Sequence, residues 1–273
     1  MPDYITTCER AARAAGTVLL EWRGRFSVRE KGPADLVTEA DVAAQNVIRQ
    51  LLHAEFPQIE LLGEESSPEE QARAQRAPLR WIVDPLDGTT NYVHGLPGWC
   101  VSIALAEGES LLAGCIFDPV SEDLYLAAAG EGAYCNGVRL KTSANTILRQ
   151  SLVAISFPAT VSRHSPEVEC FLEMLPHIQA FRRLGSAALN LCHIAAGQID
   201  ANWAASVNSW DVAAGILLIR EAGGVVTGLR GEPYRWAERH LTAAANATLH
   251  EEFTSILRRS WPKHATPTVD RKN

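Results

Sequence analysis

The chain has 273 residues, 47% of them apolar and 21% charged, which is ordinary for a globular protein able to bury one large core or two lobes. A formal net charge of −7 with no strongly basic segment argues against a nucleic-acid binder, although an anionic substrate stays open because bound cations can invert a local field. Six scattered cysteines with no CxxC pair, no secretory signal and no apolar run long enough to cross a bilayer lead us to expect a reduced, cytoplasmic protein without a membrane span.

Residues 3 to about 22 read as an alanine-rich amphipathic helix, followed by a short strand in FSVREK (26–31). A second helix is expected after GPADLVTEAD, with Thr38 as N-cap and Asp41 at its third position. Ala44, Val47, Ile48, Leu51 and Leu52 give it a buried face, and it stops at Phe56-Pro57. IELLGEES (59–66) reads as a strand ending in Gly63 and two glutamates. SPEEQARAQRAP, polar and without an apolar face, reads as a surface loop. Strands follow in RWIVD (80–84), CVSIALA, LLAGCIF and DLYLAAA, and Asn136-Gly137 signals a hairpin. The second half brings a strand at SLVAISF, a helix from about Pro166 and a strand at AFRRLG. Ser186 caps AALNLCHIAAG, IDANWA is a strand, and Ser209 is the expected N-cap of WDVAAGILLIREAG. VVTGL and HLTAAA close the sheet, a last helix runs from about Ala247 to Arg259, and the tail is expected to be disordered. The sum is an α+β fold.

Asp41, Glu64, the pair Asp84 and Asp87, and Asp211 each stand at the edge of an apolar element. Taken singly, Asp41 and Asp211 fit helix capping and Glu64 fits a loop acid. DPLDGTT differs, because Pro85 fixes the backbone between two carboxylates that follow a buried strand. Two acids across such a turn suit one hard cation, with the Leu86 carbonyl available to join the shell. Gly88, Thr89 and Thr90 would then open a short helix whose free amides make a phosphate seat.

DPLDGTTNYVHG together with SWDVAAGILLIREAGG resembles the inositol monophosphatase family, among the lithium-sensitive, Mg2+-dependent sugar phosphatases. DLVTEAD, GEES, GAYCNG and LGSAALNLCHIAAGQIDA extend the resemblance over nearly the whole chain. It implies a layered αβαβα fold of two interdigitated lobes, about 1–145 and 146–265, with 266–273 as the tail. It also implies a homodimer and a Mg2+-dependent phosphomonoesterase that acts on a small phosphorylated alcohol by attack of a metal-activated water. By the resemblance Glu64, Asp84 and the Leu86 carbonyl hold one Mg2+, Asp84, Asp87 and Asp211 a second, and a third lies near Glu64. Thr89, hydrogen-bonded to Asp41, is the implied pair that orients and deprotonates the water, and Gly88 and Thr89 amides bind the phosphate. Gly185, Ser186 and Ala187 match the loop that meets the leaving alcohol, with Asp87 also on the substrate side; Ser186 serves equally well as a helix cap.

The chain departs from the pattern at Ala204, seven residues before Asp211, where the family carries a glutamate that accepts bonds from substrate hydroxyls. That shifts weight from inositol monophosphate toward histidinol phosphate, a sugar phosphate or adenosine 3',5'-bisphosphate. A non-catalytic member that binds metal and phosphate, or a partner of RNA polymerase or the ribosome, is the reading from another class. Arg182 and Arg183 either approach a second anionic group or form a solvated or dimer-facing pair.

Overall fold

In the computed structural model, residues 4–32, 35–236 and 238–261 are described; the tail 266–273 lies outside them. Helix α1 (Tyr4–Trp22) buries Cys8, Ala11, Ala12, Ala15 and Leu19, one helical face of small residues closed by a leucine. Helix α2 (Glu39–Glu55) starts at Thr38, whose hydroxyl accepts from the Ala40 amide at 3.1 Å, while Asp41 at the third position accepts from the Thr38 amide at 2.8 Å. The two helices lie against each other and cover one face of a seven-stranded sheet.

That sheet runs in the order β3 (Glu60–Gly63), β4 (Leu79–Asp87), β5 (Cys100–Glu107), β6 (Ser110–Asp118), β7 (Asp123–Ala128), β8 (Gly132–Cys135), β9 (Val138–Arg139). Only β3 and β4 pair in parallel; the rest is an antiparallel meander ending in the expected Asn136-Gly137 hairpin. On its other face pack α6 (Ala187–Ala195) and α7 (Ser209–Glu221). Beyond them lies a five-stranded sheet in the order β11 (Ala180–Arg182), β10 (Leu152–Ser156), β12 (Ala201–Ala205), β14 (His240–Ala244), β13 (Val225–Thr227). Helices α5 (Pro166–Met174) and α8 (Ala247–Ser260) cover its outer face. The layers are therefore αβαβα, and α7, late in the chain, lies directly on the early sheet.

Three local readings change. SPEEQARAQRAP holds a helix, α3 (Pro68–Arg76), not a loop. Its apolar face is nearly absent, since only Ala74 is buried, and capping makes it instead: Glu70 N donates to Ser67 Oγ at 3.2 Å and Ser67 N donates to Glu70 Oε2 at 2.9 Å. The N-cap of α7 is Asn208 rather than Ser209, because Asp211 reaches back to the Asn208 amide at 2.8 Å. DLVT is strand β2 (Asp35–Thr38), paired antiparallel with β1 (Val28–Gly32), a contact that helix-start signals do not reveal. The cysteine reading holds in outline: all six are unpaired, and only Cys135 is partly exposed. Among the described residues no helix is long and apolar enough to cross a membrane.

Candidate active site

In an unbroken strand, residues three apart point to opposite faces. Asp84 and Asp87 do not, because β4 bulges between them: Asp84 pairs with Ser102 and Asp87 with Cys100, so Pro85 and Leu86 together oppose Val101 alone. Residues 100 and 102 of β5 share a face, and the extra residue puts both aspartates on that face. It is the face toward α6 and α7: Ser102 Oγ donates to the Trp210 carbonyl at 3.2 Å, and Cys100 Sγ lies 3.7 Å from Ser186 Oγ. Asp84 Oδ1 accepts from the Leu86 amide at 2.9 Å, closing the turn on itself.

Asp87 reaches across to the second half of the chain. Its Oδ2 accepts from Ser186 Oγ and from the Ala188 amide at 2.7 Å, while Ser186 Oγ itself accepts from Leu189 N at 3.0 Å. Ser186 is thus a helix cap and a ligand of Asp87 at once. Helix α4 (Thr89–Val93) starts at Gly88, whose φ of +94° and closeness to Gly98 admit no side chain; an added Cβ would stand 2.9 Å from the Gly98 carbonyl oxygen. Asn91 of α4 donates to the Gly98 and Leu184 carbonyls, both at 2.8 Å, and ties the DGTT turn to the loop of Gly185. Nothing in its sequence surroundings separates Asn91 from an ordinary helical asparagine.

Glu64 follows β3, where its amide donates to the Val83 carbonyl at 3.1 Å, one residue before Asp84. Asp211 stands in the first turn of α7. One comes from the neighbouring strand and the other from the helix layer, and the charges feel one another. Burial and then Glu64, Asp87 and Asp211 push the Asp84 carboxyl well up; burial, Asp87 and Glu64 do the same to Asp211. Asp87 is raised by burial against the hydrogen bonds from Ser186 and Ala188. Asp41, 1% exposed, is raised by burial to about 7, with Glu64 and Glu65 adding to the rise.

No three acidic, histidine or cysteine side chains among the described residues are drawn together in the arrangement of a formed cation site. Asp84 and Asp211 are turned back onto their own segments, and Asp87 is turned onto α6. The donor set nevertheless fits a hard divalent cation. It consists of oxygen ligands only, and the strongest charges on Asp84 are three other carboxylates, a repulsion that such an ion would relieve.

A cleft of about 210 Å³ opens beside this cluster, lined by Asp87, Asp211, Gly185 and Ala187 together with Phe157, Arg183 and Ser206. Asp84 and Ser186 are buried behind it, at 2% and 1% exposure. Arg183 stacks over the Phe157 ring at 5.7 Å, whereas exposed Arg182 donates to the Phe181 carbonyl. Ala204 is fully buried and absent from the cleft wall, which Ala205 and Ser206 form instead. The implied Thr89–Asp41 hydrogen bond is not made: Thr89 donates its one hydroxyl proton to the Leu86 carbonyl at 3.0 Å, and Asp41 Oδ2 accepts from Thr38 Oγ1 at 2.7 Å. Both groups are held by nearer partners in their own turns.

Two signature stretches therefore meet across a sheet and a helix layer, and known proteins share the arrangement. The sequence profile of the inositol monophosphatase family matches residues 2–261. The chain belongs to the inositol monophosphatase family. The inositol-1-monophosphatase of Rhizobium meliloti is 39% identical over 207 residues, 76% of this chain and 77% of that protein. Nus factor SuhB of Pasteurella multocida is 36% identical over 260 residues, 94% of this chain and 96% of that protein. The structure of inositol monophosphatase from Anabaena sp. superposes with a TM-score of 0.81 at 34% identity, covering 94% of this chain and 95% of the other. Family membership makes this chain a phosphomonoesterase whose chemistry depends on bound metal.

Proposed function

We propose that this inositol monophosphatase family member uses Mg2+ to hydrolyse a small phosphorylated alcohol of the inositol monophosphate kind. The observation that carries the reading is the bulge that turns Asp84 and Asp87 onto one face, toward Asp211 and beside Glu64. Glu64, Asp84, the Leu86 carbonyl, Asp87 and Asp211 would hold two or three ions. Bound there, divalent ions make hydroxide available near neutral pH and offset charge on the transferred phosphoryl group.

The protein's own groups supply the rest. The first amides of α4, at Gly88 and Thr89, have no partner within the helix and would offer donors to the phosphate oxygens, the Gly88 amide sharing itself with the Asp87 carboxylate. Asp41, raised to about 7, is poised to take a proton near neutral pH, and Thr89 stands on the same turn as the Leu86 carbonyl. Asp87, locked by Ser186 and Ala188, and the Gly185–Ala187 backbone face the leaving alcohol. The homodimer and lithium inhibition belong to the same proposal.

The test is phosphate release from inositol 1-phosphate, histidinol phosphate and adenosine 3',5'-bisphosphate, with and without Mg2+. We expect Mg2+-dependent release from at least one, lost in Asp84→Asn, whose circular dichroism stays that of the parent. Near-parental turnover in that variant would sink the ligand assignment. Failure to hydrolyse any member of the panel would favour a binding role instead.

A further inference from the structure

The turn that carries Glu64 is gripped by side chains from two helices. From α2, Gln45 Oε1 accepts from the Glu65 amide at 2.9 Å, and Gln45 Nε2 donates to Ser66 Oγ at 3.4 Å. Gln45 is 2% exposed and stands one helical turn after Asp41, on the same face. It lies so close over the turn that a Cβ added at Gly63 would strike its amide. Arg49, a further turn along, donates to Ser66 Oγ at 3.1 Å and pairs with Glu70 of α3 at 3.2 Å.

From α3, Gln71 Nε2 donates to the Gly63 carbonyl at 3.0 Å and to the Glu64 carbonyl at 3.3 Å. Both partners are acceptors, so only the nitrogen of that amide can face them. The Gly63 carbonyl and the Glu64 amide belong to one peptide unit, the Glu64 carbonyl and the Glu65 amide to the next. The first unit is also held by Val83 and the second by Gln45, whereas Gln71 bonds to both. These two units set the direction in which the Glu64 side chain leaves the backbone. Helix α3 itself buries only Ala74, so little packing holds it in place. Its C-terminal end is pinned, since buried Arg80 donates to the Gln75 carbonyl at 2.6 Å. The start of the helix depends on the Ser67–Glu70 caps, the Arg49–Glu70 pair and Gln71. A partly exposed ion pair contributes little, which leaves Gln71 as the main tie between that start and the turn.

We propose that Gln71 is a positioning residue for Glu64, so that the ordering of α3 and the binding of Mg2+ at Glu64 are coupled. This rests on the reading above that gives Glu64 to the metal. Groups that orient a ligand from behind govern metal affinity before they govern the chemistry of the loaded site. The coupling is reciprocal: if α3 steadies Glu64 for the ion, the ion steadies α3. A Gln71 that merely supported its own helix would make α3 indifferent to Mg2+.

The experiment uses the full-length protein and two readouts. One is the half-saturating Mg2+ concentration for phosphate release, and the other is hydrogen exchange of the α3 amides with and without Mg2+. In the parent protein Mg2+ should slow exchange across α3. Gln71→Met keeps an unbranched side chain and good helix propensity but has no donor. It should raise half-saturation about three- to tenfold, the order of one or two hydrogen bonds, with kcat at saturating Mg2+ near that of the parent. Mg2+ should also cease to slow α3 exchange in this variant. Gln75→Met, the same change at an exposed position of the same helix, should alter neither readout. Unchanged half-saturation in Gln71→Met, or an equal rise in Gln75→Met, overturns the assignment while leaving the phosphatase reading intact. So does α3 exchange in the parent that ignores Mg2+ while the melting temperature rises with it. That last measurement needs no variant, so it decides even where Gln71→Met fails to fold. A parent with neither Mg2+-dependent hydrolysis nor a Mg2+-dependent melting temperature overturns both readings.

Discussion

Asp41 illustrates how one side chain can satisfy two descriptions. It caps α2, accepting from the Thr38 amide and hydroxyl, and it lies close enough to Glu64 and Glu65 for their charge to raise it. Its folded pKa of about 7 lies above the ordinary 3.8, so its contribution to stability is complete below about pH 3.8 and is lost as pH rises through about 7. We expect the metal-free protein to lose stability over that window and Asp41→Asn to lose less. The slopes should differ by up to ~1.4 kcal/mol per pH unit, as one proton dictates. Urea titrations at pH 4.5, 6 and 7.5 in EDTA measure it; parallel curves for the two proteins would mean that Asp41 titrates normally. The capping role could be read from Thr38 and its spacing to Asp41, but the raised pKa could not, because it comes first from burial under the tertiary structure and then from Glu64 and Glu65, 23 and 24 residues away.

Among the elements, α3 and the β4 bulge lay beyond a periodicity reading. Helix α3 has almost no apolar face to detect, and its signal was chemical: Ser67, Pro68 and Glu70 in capping-box spacing. Because little packing supports it, its caps matter. Ser67→Ala should cost about 1 kcal/mol, a shift of ~2–4 °C in melting temperature for a domain of this size. Calorimetry checks this, and an unshifted transition would mean that α3 frays independently of the rest. The bulge is subtler still. DPLD announces a turn through its proline, yet the two aspartates share a face only because Pro85 and Leu86 together oppose Val101 on the neighbouring strand.

At the scale of the whole molecule, the acids come from two layers: Asp84 from the seven-stranded sheet and Glu64 from the end of its edge strand β3, Asp211 from the helix layer behind it. An ion held among them would join layers and relieve their repulsion, binding the folded state alone. Millimolar Mg2+ should therefore raise the melting temperature of the metal-free protein. The gain is about 2.7 kcal/mol once the ion reaches a hundred times its dissociation constant. Differential scanning fluorimetry with and without Mg2+ measures it, and the gain should vanish in Asp211→Asn. A melting point indifferent to Mg2+ in the parent would remove the ion from this cluster.

The sequence by itself determined the α+β class, most elements, the acid set and the family, since these rest on local periodicity, caps and two contiguous motifs. Tertiary structure alone decided that Asp84 and Asp87 face the same way and that Asp87 is locked by Ser186 and Ala188, 99 and 101 residues on. It also moved the cleft wall from Ala204 to Ala205 and Ser206, and it gave Thr89 and Asp41 partners other than each other. The physical reason is the same in each case. A strand's register and the partners of a buried carboxylate or hydroxyl are fixed by residues distant in the chain, and a local pattern carries no record of them.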